Sequence, residues 1–592
     1  MANIIMRLWV HLAKKRKIQF SFFLVLTIFG SLLEVVSLGA IIPFLAALSS
    51  PDKMLTFPII SDILIYFDIT QHNKIMMFTT VMFIVAAVFS GSIRILILYV
   101  SPKLAFMTTH DLGVKIYRLH LHQPYEKHLE RSSSEIIAGI TAKTYTVSGI
   151  LQAFINFINS FALITFISIA LLLLDPQIAM IAAFGIGSVY LIVTFVVRKK
   201  LDINSEHIGL ESSQTIRALQ EGLSGIRDII LDSSQKFYCN IYNTSDRKLR
   251  IAQASNMFIQ GSPRYLVESL GMVIIAAIAL SLSDSKNGLL DALPVLGALA
   301  LGAQRLLPAL QQVFSTWSLL NGFRRPVLDV LDLLDQPDLQ NNFFSKEKLK
   351  AKQKIELKNV NFSYASSHQQ ILFDISLSFQ KGSKIAFIGS TGSGKSTIID
   401  LIMGLLKPTK GEVLIDGIRL DESLYQKWQN QIAHVPQKIH LIDASIAENI
   451  VLGSSIKEID QKILDDVTQQ AQLSDFIQDS PNGYNTRVGE YGNALSGGQI
   501  QRIGIARALY KQANVLVLDE ATSALDGVTE DNMMTAISNL NKDVTIIMVT
   551  HRLSTVKDCD LIFELDAGKL VGKGTYEELR KTSAIFKKMV EA

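Results

Sequence analysis

A nine-residue run in the second half of the chain has the residue types and spacing of a phosphate-binding loop. Glycines let such a loop fold tightly, so that successive backbone N–H groups face one anion at a helix N-terminus. The run consists of Gly389, Ser390, Thr391, Gly392, Ser393, Gly394, Lys395, Ser396 and Thr397. The apolar residues 384–388 predict a strand before it, and residues 398–403 predict a helix after it. This context predicts a nucleoside-triphosphate site, with Lys395 on the outer phosphates and the Ser396 hydroxyl on Mg²⁺.

Two further apolar runs end in side chains that suit hydrolysis. Val515–Leu518 is followed by Asp519 and Glu520, and the run 544–550 is followed by His551. We expect Asp519 to ligate Mg²⁺ and Glu520 to polarise the attacking water as a general base. A histidine after a strand lies at the edge where α/β sheets bind ligands, so His551 can contact the terminal phosphate there. Either residue alone is more often structural, but together with the loop they predict catalysis.

A second anion site is predicted about a hundred residues after the loop. Ser496, Gly497, Gly498 and Gln499 immediately precede the helical run 500–509. Ser496 is placed as an N-cap, and the two glycines expose N–H groups at the start of the helix. Kinases and GTPases have no use for a second site of this kind, so it favours another class of P-loop protein.

On these motifs the chain resembles the ATP-binding-cassette transporters, and the resemblance implies roles for more residues. Tyr364 resembles the aromatic residue that stacks on adenine, and Gln437 resembles the glutamine that ligates Mg²⁺ and water. Asp526 ends a run similar to the family's D-loop, and His551 corresponds to its switch histidine. The resemblance therefore implies ATP and Mg²⁺ as cofactors.

The resemblance also implies a direction of transport and a partner. Residues 486–492 are similar to a loop of exporters, although Arg487 and Tyr491 depart from its commonest residues. In this family ATP lies between the phosphate loop of one cassette and the signature, here Ser496 to Gln499, of another. One chain holds one of each, which implies a homodimer with two equivalent ATP sites. A heterodimer stays open, but no motif in this chain is degenerate.

Composition and charge separate the chain into two halves. Its 592 residues carry a net charge of +4, too small to imply a nucleic-acid partner. Cys239 and Cys559 lie far apart and predict neither a disulfide framework nor a metal site. Long uncharged runs are confined to roughly the first 320 residues, whereas the remainder has the strand and helix alternation of an α/β domain.

Six segments of the first half are long and apolar enough to cross a bilayer, which takes about 20 residues. They are residues 18–48, 75–100, 150–174, 178–197, 263–282 and 290–317. The first is too long for a cleaved signal peptide, so we expect it to be retained. Six spans in series exclude the soluble cassette ATPases of DNA repair and translation. The predicted fold is multi-domain, an all-α six-helix transmembrane domain followed by an α/β P-loop cassette.

The distribution of lysine and arginine gives the orientation and the domain limits. Basic residues cluster in the N-terminal arm and in the connections after the second and fourth spans, as at 14–17 and 198–200. This bias predicts that both termini and the cassette are cytoplasmic, in a plasma (inner) membrane. We expect a transmembrane domain at 1–335, a linker at 336–353 and the cassette at 354–592.

Three connecting segments have a local pattern of their own. Residues 51–73 fit a short amphipathic helix at the outer membrane surface and fit a packed cap on the bundle equally well. Residues 125–135 and 221–228 read as short transverse helices between longer ones, and by composition they are ordinary solvated turns. The family resemblance instead implies that both are coupling helices that rest on the cassettes.

Charged residues inside spans are costly and indicate function by default. Arg305 has no carboxylate nearby in its own span, so we expect it to face the transport cavity, where it would suit a phosphate-bearing cargo. Glu34 and Arg94 are also candidate substrate contacts, although they either neutralise each other or lie at the level of water. Arg264 is also a candidate substrate contact, although Glu268 four residues later is placed to pair with it.

The cargo is predicted from a weaker resemblance. Residues 31–44 are similar to the branch of exporters that contains bacterial lipid-linked oligosaccharide flippases. That resemblance implies outward transport of an amphipathic cargo such as a lipid-linked saccharide, a glycolipid or a polysaccharide precursor. The alternative is an exporter of peptides or hydrophobic drugs. Peptide exporters often carry an N-terminal peptidase domain, and here the first span begins within about 20 residues of the first residue.

Overall fold

The structure is a computed structural model. It describes residues 2–40, 44, 71–174, 176–283, 306–338, 347–364, 369–453, 459–521, 527–538, 543–550, 552–584 and 586–587. Two compact units are present. The first contains Met1–His122 and Arg131–Asp338, and the second contains Gln123–Glu130 and Leu339–Ala592.

The first unit is helical throughout its described residues. Its helices are α1 (Ala2–His11), α2 (Lys14–Gly39), α3 (His72–Leu121), α5 (Ser133–Ala138), α6 (Thr144–Leu174), α7 (Pro176–Ser224), α8 (Ile226–Leu231), α9 (Gln235–Ser283), α10 (residues 306–322) and α11 (Arg324–Leu334). A π-helical turn, Gly139–Lys143, joins α5 to α6. The short helix α4 (Tyr125–Glu130) belongs to the second unit.

Three helical stretches within the described residues have the length and apolar character to cross a membrane. They are Lys14–Ser37, Asn73–Leu121 and Ser133–Ile169, and they coincide with the first three predicted spans. The predicted fourth and fifth spans lie inside α7 and α9. The sixth is described only from residue 306, and Phe44 is the one described residue in the last part of the first.

The long helices extend well beyond the thickness of a bilayer. Helix α3 has 50 residues, and α7 and α9 have 49 each. At 1.5 Å per residue they are about 75 Å long, against a hydrocarbon core of about 30 Å. These helices therefore continue past the bilayer.

The short connecting helices differ from their predicted bounds. Helix α7 continues through the predicted 221–228 segment to Ser224, and the short helix α8 follows at Ile226. The break falls at Gly225, whose backbone leaves the helical region, and Gly222 lies inside α7. The 125–135 segment is two helices, α4 and α5, separated by the extended N-cap Ser132.

Helix α11 forms the core of the first unit at one end of the bundle. Its apolar face, including Val327, Val330 and Leu331, is buried against residues of α1, α3 and α6. Beside this face the π-helical turn carries Lys143 to Asp329 of α11, with Nζ 2.5 Å from Oδ2. A π-helical turn displaces the following side chains, and here it places a lysine against a carboxylate in a buried position.

The second unit contains two sheets. Its strands are β1 (Lys354–Ser363), β2 (Gln370–Gln380), β3 (Lys384–Gly389), β4 (Lys410–Ile415), β5 (Ile418–Arg419), β6 (Ile432–Val435), β7 (Val515–Asp519), β8 (Thr545–Val549), β9 (Leu561–Asp566) and β10 (Lys569–Gly574). The four-stranded sheet has the order β2-β1-β4-β5 and is antiparallel. The six-stranded sheet has the order β10-β9-β3-β8-β7-β6, in which only β10 is antiparallel to its neighbour.

Helices of the second unit flank these sheets. They are α12 (Lys395–Ile402), α13 (Tyr425–Gln429), α14 (Ile446–Ile450), α15 (Gln461–Gln470), α16 (Ser474–Asp479), α17 (Gly497–Tyr510), α18 (Gly527–Ser538), α19 (Leu553–Lys557) and α20 (Tyr576–Thr582). Successive residues of β3, such as Phe387 and Ile388, enter different buried clusters on the two faces of the sheet. A strand buried on both faces must be apolar at every position, which explains the uninterrupted runs in the sequence.

The parallel register determines where the functional side chains emerge. Strands β6, β7, β8 and β3 run side by side in one direction, with Asp519 paired to Val549 and Phe387 paired to Val549 across β8. Their carboxyl ends therefore meet at one edge of the sheet. In an open α/β sheet this edge is where ligands bind.

Candidate functional site

The predicted strand, loop and helix around residues 389–397 are confirmed. Strand β3 ends at Gly389 and α12 begins at Lys395. Gly389 has φ +144, and a Cβ there would lie 2.1 Å from the Leu565 carbonyl oxygen of β9. Gly392 has φ +82 and open space on its Cβ side. The loop thus packs tightly against β9 at Gly389 and has open space at Gly392. Only glycine fits at Gly389.

Lys395 closes the loop from inside. Its Nζ donates hydrogen bonds of 2.8 Å to the carbonyl oxygens of Gly389 and Ser390, and it lies 3.5 Å from Ser393 Oγ. Burial lowers the pKa of the Lys395 ammonium, while the charges of Glu520 and Asp519 act in the opposite direction. The loop therefore holds a cation in place before any ligand binds, which suits a polyanion such as a chain of phosphates.

Two carboxylates lie at the carboxyl end of β7, at the same edge of the sheet. Asp519 is the last residue of the strand and Glu520 follows it. Burial raises the pKa of Asp519, the neighbouring Glu520 charge raises it further, and Lys395 lowers it. Glu520 has φ +49, a left-handed conformation that is unusual for a residue other than glycine, and its N–H donates to the Val549 carbonyl oxygen at 3.0 Å. Strained backbone of this kind often marks a functional residue, because the surrounding fold must hold it in place.

Gln437 reaches this pair from the loop after β6. Its Nε2 donates a hydrogen bond to Glu520 Oε2 at 2.5 Å. The residues come from adjacent parallel strands, 83 positions apart in sequence, so the sheet brings them together. The arrangement gives Glu520 a defined orientation next to the phosphate-binding loop.

Tyr364 contacts Thr397, a residue in the first turn of α12. The Tyr364 hydroxyl lies 3.4 Å from Thr397 Oγ1, and the Tyr364 ring packs edge to face on Phe362. Ser396 is exposed on the first turn of the same helix, next to the buried Lys395. The structure therefore brings together Tyr364, the loop, Gln437, Asp519 and Glu520.

The predicted N-cap at Ser496 is confirmed. The Ser496 hydroxyl accepts a hydrogen bond from the Gln499 N–H at 3.3 Å, and Gln499 Oε1 accepts one from the Ser496 N–H at 2.8 Å. This reciprocal capping box fixes the first turn of the 14-residue helix α17. Gly497 is exposed beside it, and Gly498 is half-buried. Among the described residues, no hydrogen bond or ion pair joins 496–499 to 389–397.

Three predicted site residues lie outside the described residues, namely His551, Asp526 and Arg305. The other predicted cargo contacts are paired. Arg94 lies 3.4 Å from Glu34, which is buried, and Arg264 lies 2.6 Å from Glu268. Of the alternatives open for Glu34 and Arg94, the structure thus has the two residues neutralising each other.

The donor set fits ATP with one hard divalent cation. Within the described ranges, no group of three or more His, Cys, Asp or Glu side chains is placed to hold a metal by itself. Mg²⁺ in phosphate-transferring sites takes one or two protein ligands and completes its shell with phosphate oxygens and water. Ser396, Gln437 and Asp519 supply oxygens of that kind beside a loop built for phosphates.

Asp400, on the same helix as Lys395 and Ser396, is a titratable residue near this site that the motifs did not single out. It lies on α12 one turn after Ser396, and burial raises its pKa to about 6, with a further contribution from Asp519. A lone carboxyl in the apolar run 398–403 was the available signal, because a charged residue inside a buried helix needs a reason.

Comparison with known proteins agrees with this geometry. Residues 18–296 match the ABC transporter transmembrane region, and residues 372–523 match the ABC transporter domain. A solved chain described as "Structure of a bacterial Atm1-family ABC exporter with ATP bound" has a TM-score of 0.77 with this one, at 21% identity over 98% of both chains. At that identity the likeness concerns the fold.

Two flippases are similar over about four fifths of the chain, and a glucan exporter is similar over about two fifths of it. The "ATP-dependent lipid A-core flippase" of Alkalilimnicola ehrlichii is 30% identical over 79% of each chain, and that of Pseudoalteromonas translucida is 32% identical over 80% of this chain and 82% of its own. A β-(1→2)glucan export ATP-binding/permease protein of Agrobacterium fabrum is 43% identical over 39% of each. The chain therefore belongs to the ABC transporter family, as a membrane-spanning helical domain followed by an ATP-binding cassette that couples ATP hydrolysis to transport.

Proposed function

We propose that this ABC transporter moves a lipid-linked saccharide, glycolipid or polysaccharide precursor outward across the inner membrane. The observation that carries the ATPase part is the convergence of Lys395, Gln437, Asp519 and Glu520 at one edge of the sheet. The cargo class rests on the relatives, because flippases of a lipid-linked saccharide match about four fifths of the chain.

In the proposed mechanism the loop and Lys395 bind the phosphates of ATP, and Tyr364 stacks on the base. Ser396, Gln437 and Asp519 hold Mg²⁺, which when bound neutralises charge on the phosphate oxygens. Glu520, oriented by Gln437, accepts a proton from the attacking water. His551 contacts the terminal phosphate and keeps that water in line.

The ATP site is completed by a second copy of the chain. Ser496, Gly497, Gly498 and Gln499 then lie across the phosphates from the partner's loop, and Asp526 lies at the junction of the two cassettes. This is supported by the exposed N-terminus of α17, since no hydrogen bond or ion pair joins it to residues 389–397 among the described residues. The capping box uses the N–H groups of Ser496 and Gln499, so the N–H groups of Gly497 and Gly498 are the ones offered to an anion from another chain.

The cassette and both termini lie on the cytoplasmic side, as the positive residues at 14–17 and 198–200 indicate. Helix α4 is part of the cassette unit, where Tyr125 and Glu126 line a cavity of about 350 Å³ with Gly404 and Tyr425. We assign α4 as the element through which cassette movements reach the spans. Arg305 and, less directly, Arg94 and Arg264 are the candidate contacts of an anionic cargo.

The test is an ATPase and flipping assay in proteoliposomes. Lipid-linked glycans should stimulate ATP hydrolysis and move between leaflets, whereas peptides and hydrophobic drugs should do neither. Stimulation by peptides or drugs alone would replace the proposed cargo with the alternative class. Lys395→Ala in the same liposomes separates coupled from passive movement, because it removes the phosphate-binding cation.

A further inference from the structure

An apolar cavity of about 490 Å³ lies within the first unit. It is a partly open cavity lined by residues of α6, α7 and α10 and by Ile5 of α1, and its walls include Phe157, Leu191, Phe314 and Trp317. A volume of this size is in the range of small-molecule sites, roughly 300–1,000 Å³.

The polar side chains in the wall of this cavity are already satisfied. The Tyr190 hydroxyl donates to Gln311 Oε1 at 3.1 Å, and Thr194 Oγ1 donates to the Tyr190 carbonyl oxygen at 2.7 Å. Thr316 Oγ1 bonds the carbonyl oxygens of Ala153 and Gln312. The lumen therefore offers apolar surface without spare hydrogen-bonding groups, which suits a hydrocarbon chain and does not suit ordered water.

A second cavity of about 440 Å³ adjoins the first and shares Thr194, Trp317 and Leu320 with it. Two arginines, Arg198 and Arg324, line this second cavity, and no acidic residue is among its lining residues. Its amide, Asn321 Nδ2, already donates to the Trp317 carbonyl oxygen at 2.7 Å. The second cavity is thus a cationic mouth on an apolar pocket.

Neither guanidinium of the mouth has a carboxylate partner among the residues that the structure describes. Arg324 is the first residue of α11, at the positive end of the helix dipole, where a cation is unfavourable. Its neighbour Arg325 is balanced by Asp329 at 3.0 Å, but Arg324 has no such contact. An anion in the mouth would offset this unfavourable placement.

The position along the helices matches the membrane interface. Arg198 directly follows the predicted span 178–197, and Trp317 ends the predicted span 290–317. Arginine and tryptophan at the end of a span lie at headgroup level, and the α7 wall of the apolar pocket, from Gly187 to Thr194, lies one to three turns deeper. In the proposed orientation this is the cytoplasmic leaflet.

We propose that these joined cavities bind one anionic phospholipid of the cytoplasmic leaflet, with an acyl chain in the apolar pocket and the phosphate between Arg198 and Arg324. Guanidinium groups match phosphate geometry, and an acyl chain fills a lumen that has no free polar group. The inference rests on the proposed membrane orientation and is independent of the proposed cargo.

Trp317 lines both cavities and reports on occupancy by fluorescence. The purified Trp9→Phe protein in nanodiscs leaves Trp317 and the fully buried Trp428 of the cassette as emitters. We expect dibrominated phosphatidylglycerol to half-quench Trp317 at about a tenth of the mole fraction that dibrominated phosphatidylcholine requires, because arginines near the surface favour anionic lipid. Equal quenching by the two lipids would overturn the proposal.

Two pairs of variants localise the effect. Arg198→Gln with Arg324→Gln should abolish the preference for phosphatidylglycerol, whereas Lys199→Gln with Lys200→Gln, on the same helix but outside the mouth, should keep it. Gly187→Leu projects into the pocket, where a Cβ meets nothing within 4 Å, and should reduce quenching by either lipid. Gly271→Leu on α9 is the matched control, because a Cβ there also meets nothing within 4 Å and the residue lies outside the pocket.

Basal ATPase activity of each variant reports that the protein is folded and is expected to stay at the parent level. Retained preference in the arginine pair, or parent-like quenching in Gly187→Leu, would contradict the site. Neither result depends on which cargo is transported, so the lipid site and the proposed function can fail separately.

Discussion

Gln437 Nε2 donates a 2.5 Å hydrogen bond to Glu520 Oε2, and this contact joins the loop after β6 to the residue after β7. The amide supplies a neutral donor, so it orients the carboxylate without adding charge to a site that already holds Asp519 and Lys395. A general base needs this kind of fixed placement, because its efficiency depends on hydrogen-bond reach to the water it activates.

Glu520→Gln should abolish turnover and leave ATP binding intact. The amide keeps the size of the side chain and removes the proton acceptor, which is worth roughly 10²–10⁴-fold in rate. Phosphate release and equilibrium binding of labelled ATP measure the two effects separately. Glu577→Gln, an exposed glutamate on α20, is the matched control. Hydrolysis by Glu520→Gln at near the parent rate would assign the base to another residue.

Gln437→Ala should lower kcat, and it should also weaken binding of Mg²⁺-ATP, because Gln437 is one of the proposed Mg²⁺ ligands. Without its donor the Glu520 carboxylate is less well oriented, and misplacement of a reacting group by about 1 Å costs up to about a hundredfold. Gln437→Glu should be slower than Gln437→Ala, because it sets a like charge against Glu520. Steady-state kinetics of ATP hydrolysis distinguish the two, and equal rates for all three proteins would show that the contact has no catalytic effect.

Local features of the site follow from the sequence, whereas its long-range contacts do not. The loop after β3 and the N-cap at Ser496 depend on neighbours within a few residues, and their residue types report that geometry directly. The contact between Gln437 and Glu520 spans 83 residues, and it forms because β6 and β7 are parallel neighbours. Strand order is not encoded in either local pattern.

In the helical unit, too, the sequence predicts local structure but not the contacts between distant residues. The apolar runs predict long helices, because length and composition are local properties. The ion pair between Lys143 and Asp329 spans 186 residues and depends on a π-helical turn that shifts the register of the chain. Composition gives no sign of such a turn, and it does not place the break between α7 and α8 at Gly225 either.

Asp329→Asn should destabilise the protein by about 3 kcal/mol, because it leaves the buried Lys143 without its carboxylate. The free energy of unfolding of the solubilised protein, obtained from its denaturant unfolding curve, measures this. Asp332→Asn on the same helix, whose side chain is exposed, should change it by less than about 1 kcal/mol. Lys143→Met combined with Asp329→Leu should recover much of the loss, and no recovery would indicate that packing dominates.

Asp400→Asn should stabilise the nucleotide-free protein at pH 7.5 and have a smaller effect at lower pH. Burial raises the pKa of Asp400 to about 6 in the folded state, above its ordinary 3.8. Its charged form therefore costs stability above pH 6, and the cost disappears as the pH falls through 6 towards 3.8. One pKa unit is about 1.4 kcal/mol, and partial exposure reduces what is realised, so we expect a gain of about 1–2 kcal/mol.

Unfolding midpoints of parent and variant between pH 5 and 7.5 test whether Asp400→Asn stabilises the protein and whether the gain shrinks as the pH falls. Asp416→Asn is a control that should change stability in the opposite direction. Burial raises the pKa of Asp416, but backbone N–H groups of Lys352, Lys354 and Gln353 lower it more, so the net shift is downward. Its charged form stabilises the fold at neutral pH, and removing it should lower the midpoint there. A gain for Asp400→Asn that did not shrink towards pH 5 would contradict the burial of its carboxyl.

Two inactive chains should restore one active site when they are combined. Lys395→Ala removes the phosphate-binding cation, and Ser496→Arg blocks the capped N-terminus of α17. If each ATP lies between the loop of one chain and the signature of another, each mutant homodimer has two defective sites. A heterodimer of the two mutants has one intact site and one doubly defective site.

Differently tagged mutants are co-expressed, and heterodimers are isolated through both tags. We expect these to hydrolyse ATP at about half the parent rate if the sites act independently, whereas each mutant homodimer is inactive. A heterodimer of Lys395→Ala with an unmodified chain is the matched control, and it also retains one intact site. If the doubly tagged mutants were as inactive as the homodimers while that control was active, each ATP site would be formed within a single chain.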